Sequence, residues 1–194
     1  MSSLALDVFR RLQEQVAEIE TVATRSETEG YGHVAPILRR SAFVLAVAGI
    51  DTYFHERAAI LLYASARSSS VDASRVAAYV GKLTPADASG PVGESHIRMG
   101  LSYKTLVAPK GIDSAITAWG ADPIAAWRDA AFALGTRPDR LQLQLQLLYD
   151  RRNQIAHEGD WDLVQLDFRV MERAHLNDCV RHLTELAVNM DLVL

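Results

Sequence analysis

The feature that most constrains the fold is the stretch PILRRSAFVLAVAGIDTYFHERAAILLYAS, from Pro36 to Ser65. Its apolar residues recur with helical period, and in its middle they occupy nearly every face. A helix that is apolar all round has to be enclosed by other elements. Pro36 suits the first turn of such a helix, where its missing N–H would have had no partner. The longest uninterrupted apolar run, Ala42 to Ile50, is nine residues, against about 20 needed to cross a bilayer. Flanked by Arg39, Arg40 and Asp51, it reads as the buried part of a soluble helix. The rest of the chain must wrap it.

What precedes it fits that task. Phe9, Leu12, Val16, Ile19 and Ala23 recur at steps of three and four, while Arg10, Arg11, Gln13, Glu14, Glu18 and Glu20 fill the other face. That is an amphipathic helix with a narrow apolar stripe, broken at Gly30 and Gly32. The opening MSSLALDVFRRLQEQ turns charged at Asp7 and lacks the basic start and apolar core of a signal peptide. The chain has one cysteine, Cys179, so it has neither a disulfide framework nor a Cys-rich zinc site. The expected compartment is the cytoplasm.

Residues 66–95 are rich in Ser, Gly and Pro and read as a loop region with one or two short helices. Asp72 is a candidate cap for one that ends at Gly81, and Thr84-Pro85 is a start signal for another. Further short helices are expected over 96–107, 112–119 and 122–134, punctuated by Gly111, Gly120 and Gly135. From Pro138 the string LQLQLQ alternates with period two, a strand signal. Yet Leu141, Leu145, Leu148 and Ile155 also fit helical spacing, and Leu, Gln and Arg are helix formers. The expectation is one helix over 138–156, stopped by Gly159. Leu143 and Leu147 point away from the first leucine set, so this helix is either buried on two sides or set at a subunit interface. A last helix over 172–192 carries Leu176, Val180, Leu183, Ala187 and Met190 on one stripe. At 194 residues the chain is expected to be one all-α domain. Its core would be 1–65 and 138–194, with 66–137 an elaboration of short helices.

The net charge is -4, which argues against a protein that coats nucleic acid through bulk charge. Any positive potential must be local, and Arg137, Arg140, Arg151 and Arg152 are the places to look for it.

One segment concentrates chemistry: Arg151-Arg152-Asn153-Gln154-Ile155-Ala156-His157-Glu158-Gly159-Asp160. Two arginines, an amide, an imidazole and two carboxylates close an otherwise apolar helix. Such charge is costly beside a buried element unless it is paired or used. The set suits phosphodiester cleavage by the RNA 2′-hydroxyl. Histidine can take that proton near neutral pH, and arginine holds a fixed, forked positive charge where the phosphorane turns negative. Arg152 and His157, however, are five residues apart, about 140° around an ideal helix. Either the helix loosens before Gly159, or the site is assembled from two chains in a two-fold dimer.

The string from Arg152 to His157 resembles the Arg-x4–6-His motif of the HEPN superfamily, and RRNQIAHEGD is similar to the motif of its RiboL-PSP-type branch. The helix LRRSAFVLAVAGIDTYFHERAAILL also resembles that family's central helix, with Asp51 where an acidic residue is common. The resemblance implies a bundle of four to five long helices that dimerises, and a metal-independent endoribonuclease that needs no cofactor. By that resemblance Arg152 would stabilise the phosphate, His157 would act as acid and base, and Asn153 would be the polar residue beside the arginine. Arg151 and Asp51 would be supporting residues. Roles as a toxin, in phage defence or in RNA processing are implied too, with RNA as substrate and an antitoxin or defence-system protein as partner. Toxins modified by a nucleotidyltransferase carry Tyr two residues after the histidine, where this chain has Gly159, so regulation of that kind is not expected.

Blander readings stand beside these. Arg152 and His157 would equally serve as an ionic cluster holding a dimer interface, in a non-catalytic interaction or nucleotide-binding module. Arg151 would pair with Asp150 or Glu158, Asp51 with an arginine, and Asp160 would cap the turn after the motif. His55-Glu56 is not a metalloprotease motif, because Ala59 stands where a second histidine is needed. His175 and His182 read as solvated or interface residues, and Trp161 as either a stacking platform or packing against the last helix.

Overall fold

The structure, a computed structural model, describes residues 3–194. The apolar segment is a helix throughout: α2 runs Ala35–Ala66, with Pro36 in its first turn. It buries Ala42, Phe43, Ala46, Val47, Ile50, Tyr53, Phe54, Ala58, Ala59 and Leu62, a set spread around the cylinder. The small members let neighbours come close. α1 (Leu4–Thr28) lies along most of α2, its Phe9 and Leu12 against the bare backbone of Gly49. Gln13 Nε2 donates to the Ala46 carbonyl at 3.3 Å. α1 starts where Ser3 accepts from the Leu6 amide, a side-chain cap of the usual kind.

The middle of the chain forms five short helices: α3 (Ser70–Val80), α4 (Pro85–Ser89), α5 (Gly93–Leu101), α6 (Pro109–Trp119) and α7 (Pro123–Ala133). Ser69 caps α3, with Asp72 in its first turn, so Asp72 is the partner in the cap and Ser69 the cap itself. Thr84 and Asp87 form the capping box of α4. α5 begins and ends earlier than the expected 96–107, and residues 102–108 are a loop. These helices are more than a cover. Val76, Ile97, Leu106, Ile112, Ile116 and Trp127 belong to the same continuous apolar cluster as α1 and α2.

α8 (Pro138–Glu158) and α9 (Arg173–Val193) complete the all-α fold. The leucine ladder is helical, as the composition of its surroundings requires. Leu141 and Leu145 are buried, whereas Leu143 and Leu147 are more than half exposed. Between α8 and α9 lies a small hairpin that the sequence analysis does not anticipate, β1 (Trp161–Asp162) and β2 (Asp167–Phe168), paired antiparallel with Trp161 opposite Phe168. No helix among the described residues is long and apolar enough to cross a membrane.

Candidate active site at the end of α8

α8 stays helical through Glu158, and Gly159 then takes the left-handed conformation at φ 65° that closes the helix. The helix therefore does not loosen between Arg152 and His157. Within one chain the two side chains leave the axis about 140° apart. Arg152 lies on the side of the buried Leu141 and Leu145, and it is half-buried. His157 lies about 40° from the exposed Leu143 around the same helix, and it is exposed.

The two adjacent arginines have different fates. Arg151 is spent on structure. Its guanidinium meets the fully buried Asp160 at 2.7 Å, and Arg40 from α2 meets the same carboxylate at 2.7 Å. Arg40 also donates to the Arg169 carbonyl and lies over the Phe168 ring, 5.3 Å from its centroid. Asp160 itself sits at φ 66°, its amide donating to the Gln154 carbonyl and its carbonyl accepting from the Arg169 amide. Burial is the main cause that lowers the Arg151 guanidinium pKa from its ordinary value; Asp160 opposes this, while the charges of Arg169 and Arg40 add to it. This hub clamps the end of α8, the hairpin and the start of α2 together. Neither Asp150 nor Glu158 is the partner of Arg151, and Asp160 does far more than cap a turn.

Arg152 is the opposite case. Its Nη1 donates to Asn153 Oδ1 at 2.9 Å, its Nε is buried without a partner, and no carboxylate among the described residues pairs with it. An arginine next to an amide, with unused N–H groups, is in the state needed to receive an anion. The structure thus brings Arg152 and Asn153 together and sends Arg151 into the hub. The His157 ring makes no hydrogen bond or ion pair with the described residues, while its backbone belongs to α8.

Asp51 stands elsewhere. Its Oδ1 accepts from the Leu106 amide at 2.7 Å, and His55 lies beside it at 3.6 Å. It anchors the loop before α6, and its partners are a backbone amide and a histidine, not an arginine. It is eleven residues along α2 from Arg40, about 16 Å. The four arginines expected to concentrate positive charge are also divided. Arg137 and Arg140 begin α8, with Arg137 paired to Asp139 at 2.9 Å. They lie about 16 Å or more from Arg151 and Arg152 along the helix.

Two concavities flank the end of α8. The larger, about 980 Å³, lies behind the motif, between Ile155, Ala156, Ile37, Phe168 and Val170. The smaller, about 370 Å³, runs between α8 and α9 and is lined by Leu147, Arg151, His175, Asp178 and His182. His182 Nδ1 lies 2.7 Å from the Asp178 carbonyl, and His175 caps the start of α9. No cluster of three or more His, Cys, Asp or Glu side chains among the described residues has the arrangement of a metal site. Cys179 is buried, and burial pushes its thiol pKa up, which keeps it protonated and unreactive. Trp161 packs edge-on to Phe168 at 5.3 Å within the hairpin, not on α9.

Sequence reasoning missed the hub and the hairpin. The hairpin leaves only a faint local mark, the aromatic Trp161 and Phe168 at its two ends, with Asp162 accepting from the Val164 and Gln165 amides to make the turn. No comparable signal pairs Arg40 with Asp160, 120 residues later. The chain matches no known family model, no curated protein and no solved structure.

Proposed function

We propose that this protein is a metal-independent endoribonuclease of HEPN type, acting as a homodimer in which Arg152 of one protomer works with His157 of its partner. One observation carries the reading: of two neighbouring arginines, Arg151 is ion-paired with Asp160, whereas Arg152 has no acidic partner among the described residues. A pair retained only to hold the fold would be expected to have both charges compensated, since uncompensated charge beside a core is unfavourable. In the reaction, the imidazole takes the 2′-hydroxyl proton, that oxygen attacks the adjacent phosphorus, and the 5′-oxygen leaves and is protonated. The Arg152 guanidinium offsets the charge that builds on the non-bridging oxygens. The products are a 2′,3′-cyclic phosphate and a 5′-hydroxyl, and no metal enters.

The dimer is part of the proposal because the unbroken α8 separates the two side chains within a chain. The exposed Leu143 and Leu147 lie within about 40° and 80° of His157 around α8; pairing of that side about a two-fold axis would bury them and bring the two His157 rings together, each Arg152 reaching the seam past the C-terminal end of α8. A role in a toxin pair, in phage defence or in RNA processing, with a partner protein, fits such an activity. The assay is cleavage of labelled RNA by purified protein in EDTA. Cleavage that is lost in both His157→Ala and Arg152→Ala supports the reading. An inert wild type, or cleavage unchanged in His157→Ala, refutes it.

The second reading is a non-catalytic interaction module of the same shape, favoured by the 140° divergence of Arg152 and His157. It predicts that Arg152→Ala alters self-association or partner binding with no nuclease activity to lose.

A further inference from the structure

Lysine is scarce in this chain: there are 3, against 17 arginines. Two of the three, Lys82 and Lys104, line one pocket of about 380 Å³, together with Leu83, His96, Met99 and Tyr103. That volume falls at the small end of the range of about 300–1,000 Å³ for small-molecule sites. The lining contains no carboxylate, and neither lysine is in an ion pair among the described residues. Instead each ammonium rests over an aromatic ring. Lys104 Nζ is 4.5 Å from the Tyr79 centroid, and Lys82 Nζ is 6.0 Å from that of Tyr103. Tyr103 is 86% exposed, with one face open to solvent. His96 Nδ1 is buried without a hydrogen-bond partner.

The pocket is built by the fold. α3 and α5 end side by side here, and Gly100 lets α5 press against Val80; a side chain at Gly100 would collide with it. Lys82 is held at φ 58°, a left-handed conformation uncommon for a residue with a side chain. The loop carrying Tyr103 and Lys104 is tied to α2 by Asp51, which accepts from the Leu106 amide. His55 Nε2 adds to this, lying 3.1 Å from both the Leu101 and Lys104 carbonyls. Two helix C-termini point here, and each carries roughly half a negative charge, so the two lysines leave the pocket with a net charge of about +1. The lysines therefore exceed what the helix ends alone would offset.

We propose that this pocket binds a mononucleotide, with its phosphate on Lys82 and Lys104 and its base on the open face of Tyr103. Positive charge without an acidic partner supplies the phosphate contact. An exposed aromatic ring at the rim supplies a stacking surface, as single-stranded nucleic-acid sites do. The site is independent of the arginine and histidine on α8.

Calorimetric titration of the full chain with ADP, and separately with inorganic phosphate, at low ionic strength tests it. Wild type is expected to bind ADP. The double variant K82M/K104M is expected to weaken ADP binding at least tenfold, and Tyr103→Ala to weaken ADP while leaving inorganic phosphate unchanged. Lys110→Met and His157→Ala are expected to match wild type. All five positions are exposed or half-exposed, and thermal melts check that each variant is folded. Wild type giving no heat with millimolar ADP, or K82M/K104M binding like wild type, overturns the proposal. Tyr103→Ala affecting ADP and phosphate alike removes the base from the site and overturns it as a nucleotide pocket.

Discussion

Replacing Asp160 by asparagine removes the carboxylate charge that Arg40 and Arg151 share, and little else. Asparagine has nearly the same shape and tolerates the left-handed backbone at φ 66°. It leaves Arg40 and Arg151 facing a neutral amide in a site where the carboxylate was completely buried. Breaking a buried ion pair by deleting one partner costs about 3–5 kcal/mol. The arginine side chains here keep 15% and 23% of their surface, so water screens them in part and the lower end, about 3 kcal/mol, applies. For a chain of this size that is a fall in melting temperature of about 6–12 °C. Urea unfolding at constant m-value measures it. Asp160→Ala should lose about 1–2 kcal/mol more, because it adds an unfavourable left-handed alanine. Adding Arg151→Met to Asp160→Asn should recover part of the loss, since it removes one stranded cation. Asp160→Asn unfolding within about 0.5 kcal/mol of wild type, the usual range for surface changes, would refute the idea that the hub clamps α8 to α2.

Other outcomes follow from the same geometry. Sedimentation should find wild type at twice its 21.4 kDa and Leu143→Glu as a folded monomer, with unfolding changed by about 0.5 kcal/mol or less, because the position is exposed; a monomeric wild type contradicts the proposed interface. Hydrogen bonding from Arg39 is the main cause that holds the Glu27 carboxyl below its ordinary value of 4.5. A depressed carboxylate adds stability above the ordinary range and loses it as pH falls through the lowered value. The melting-temperature gap between wild type and Glu27→Gln should therefore close on acidification, and a gap that widens would contradict this pairing.

The long elements were legible because each rests on a local pattern: the all-round apolar α2, the stripe of α1, Pro138 and Gly159 at the two ends of α8. Thr84 and Gly81 marked helix ends for the same reason. The short-range chemistry of Arg152 and Asn153 was legible too, being one residue apart. What did not show was long-range choice. Nothing local says that Arg151 takes Asp160 and shares it with Arg40, or that Asp51 takes the Leu106 amide 55 residues on. The hairpin was hidden because two-residue strands carry too little alternation to register. The role of the middle helices was underestimated for a related reason. Ile112, Ile116 and Trp127 fall in the stretch 66–137 that reads as an elaboration of short helices, and only the assembled fold places them in the main core.

The central claim is that Arg152 and His157 act across a dimer. Mixing inactive Arg152→Ala and His157→Ala chains, co-refolded in equal amounts, tests it directly by RNA cleavage in EDTA. A two-fold dimer with a site shared between chains regains one intact site in each mixed dimer, so activity should return to about a quarter of wild type. Activity that stays at the background of the separate variants would place both residues in one chain, or in no site at all, and would contradict the account.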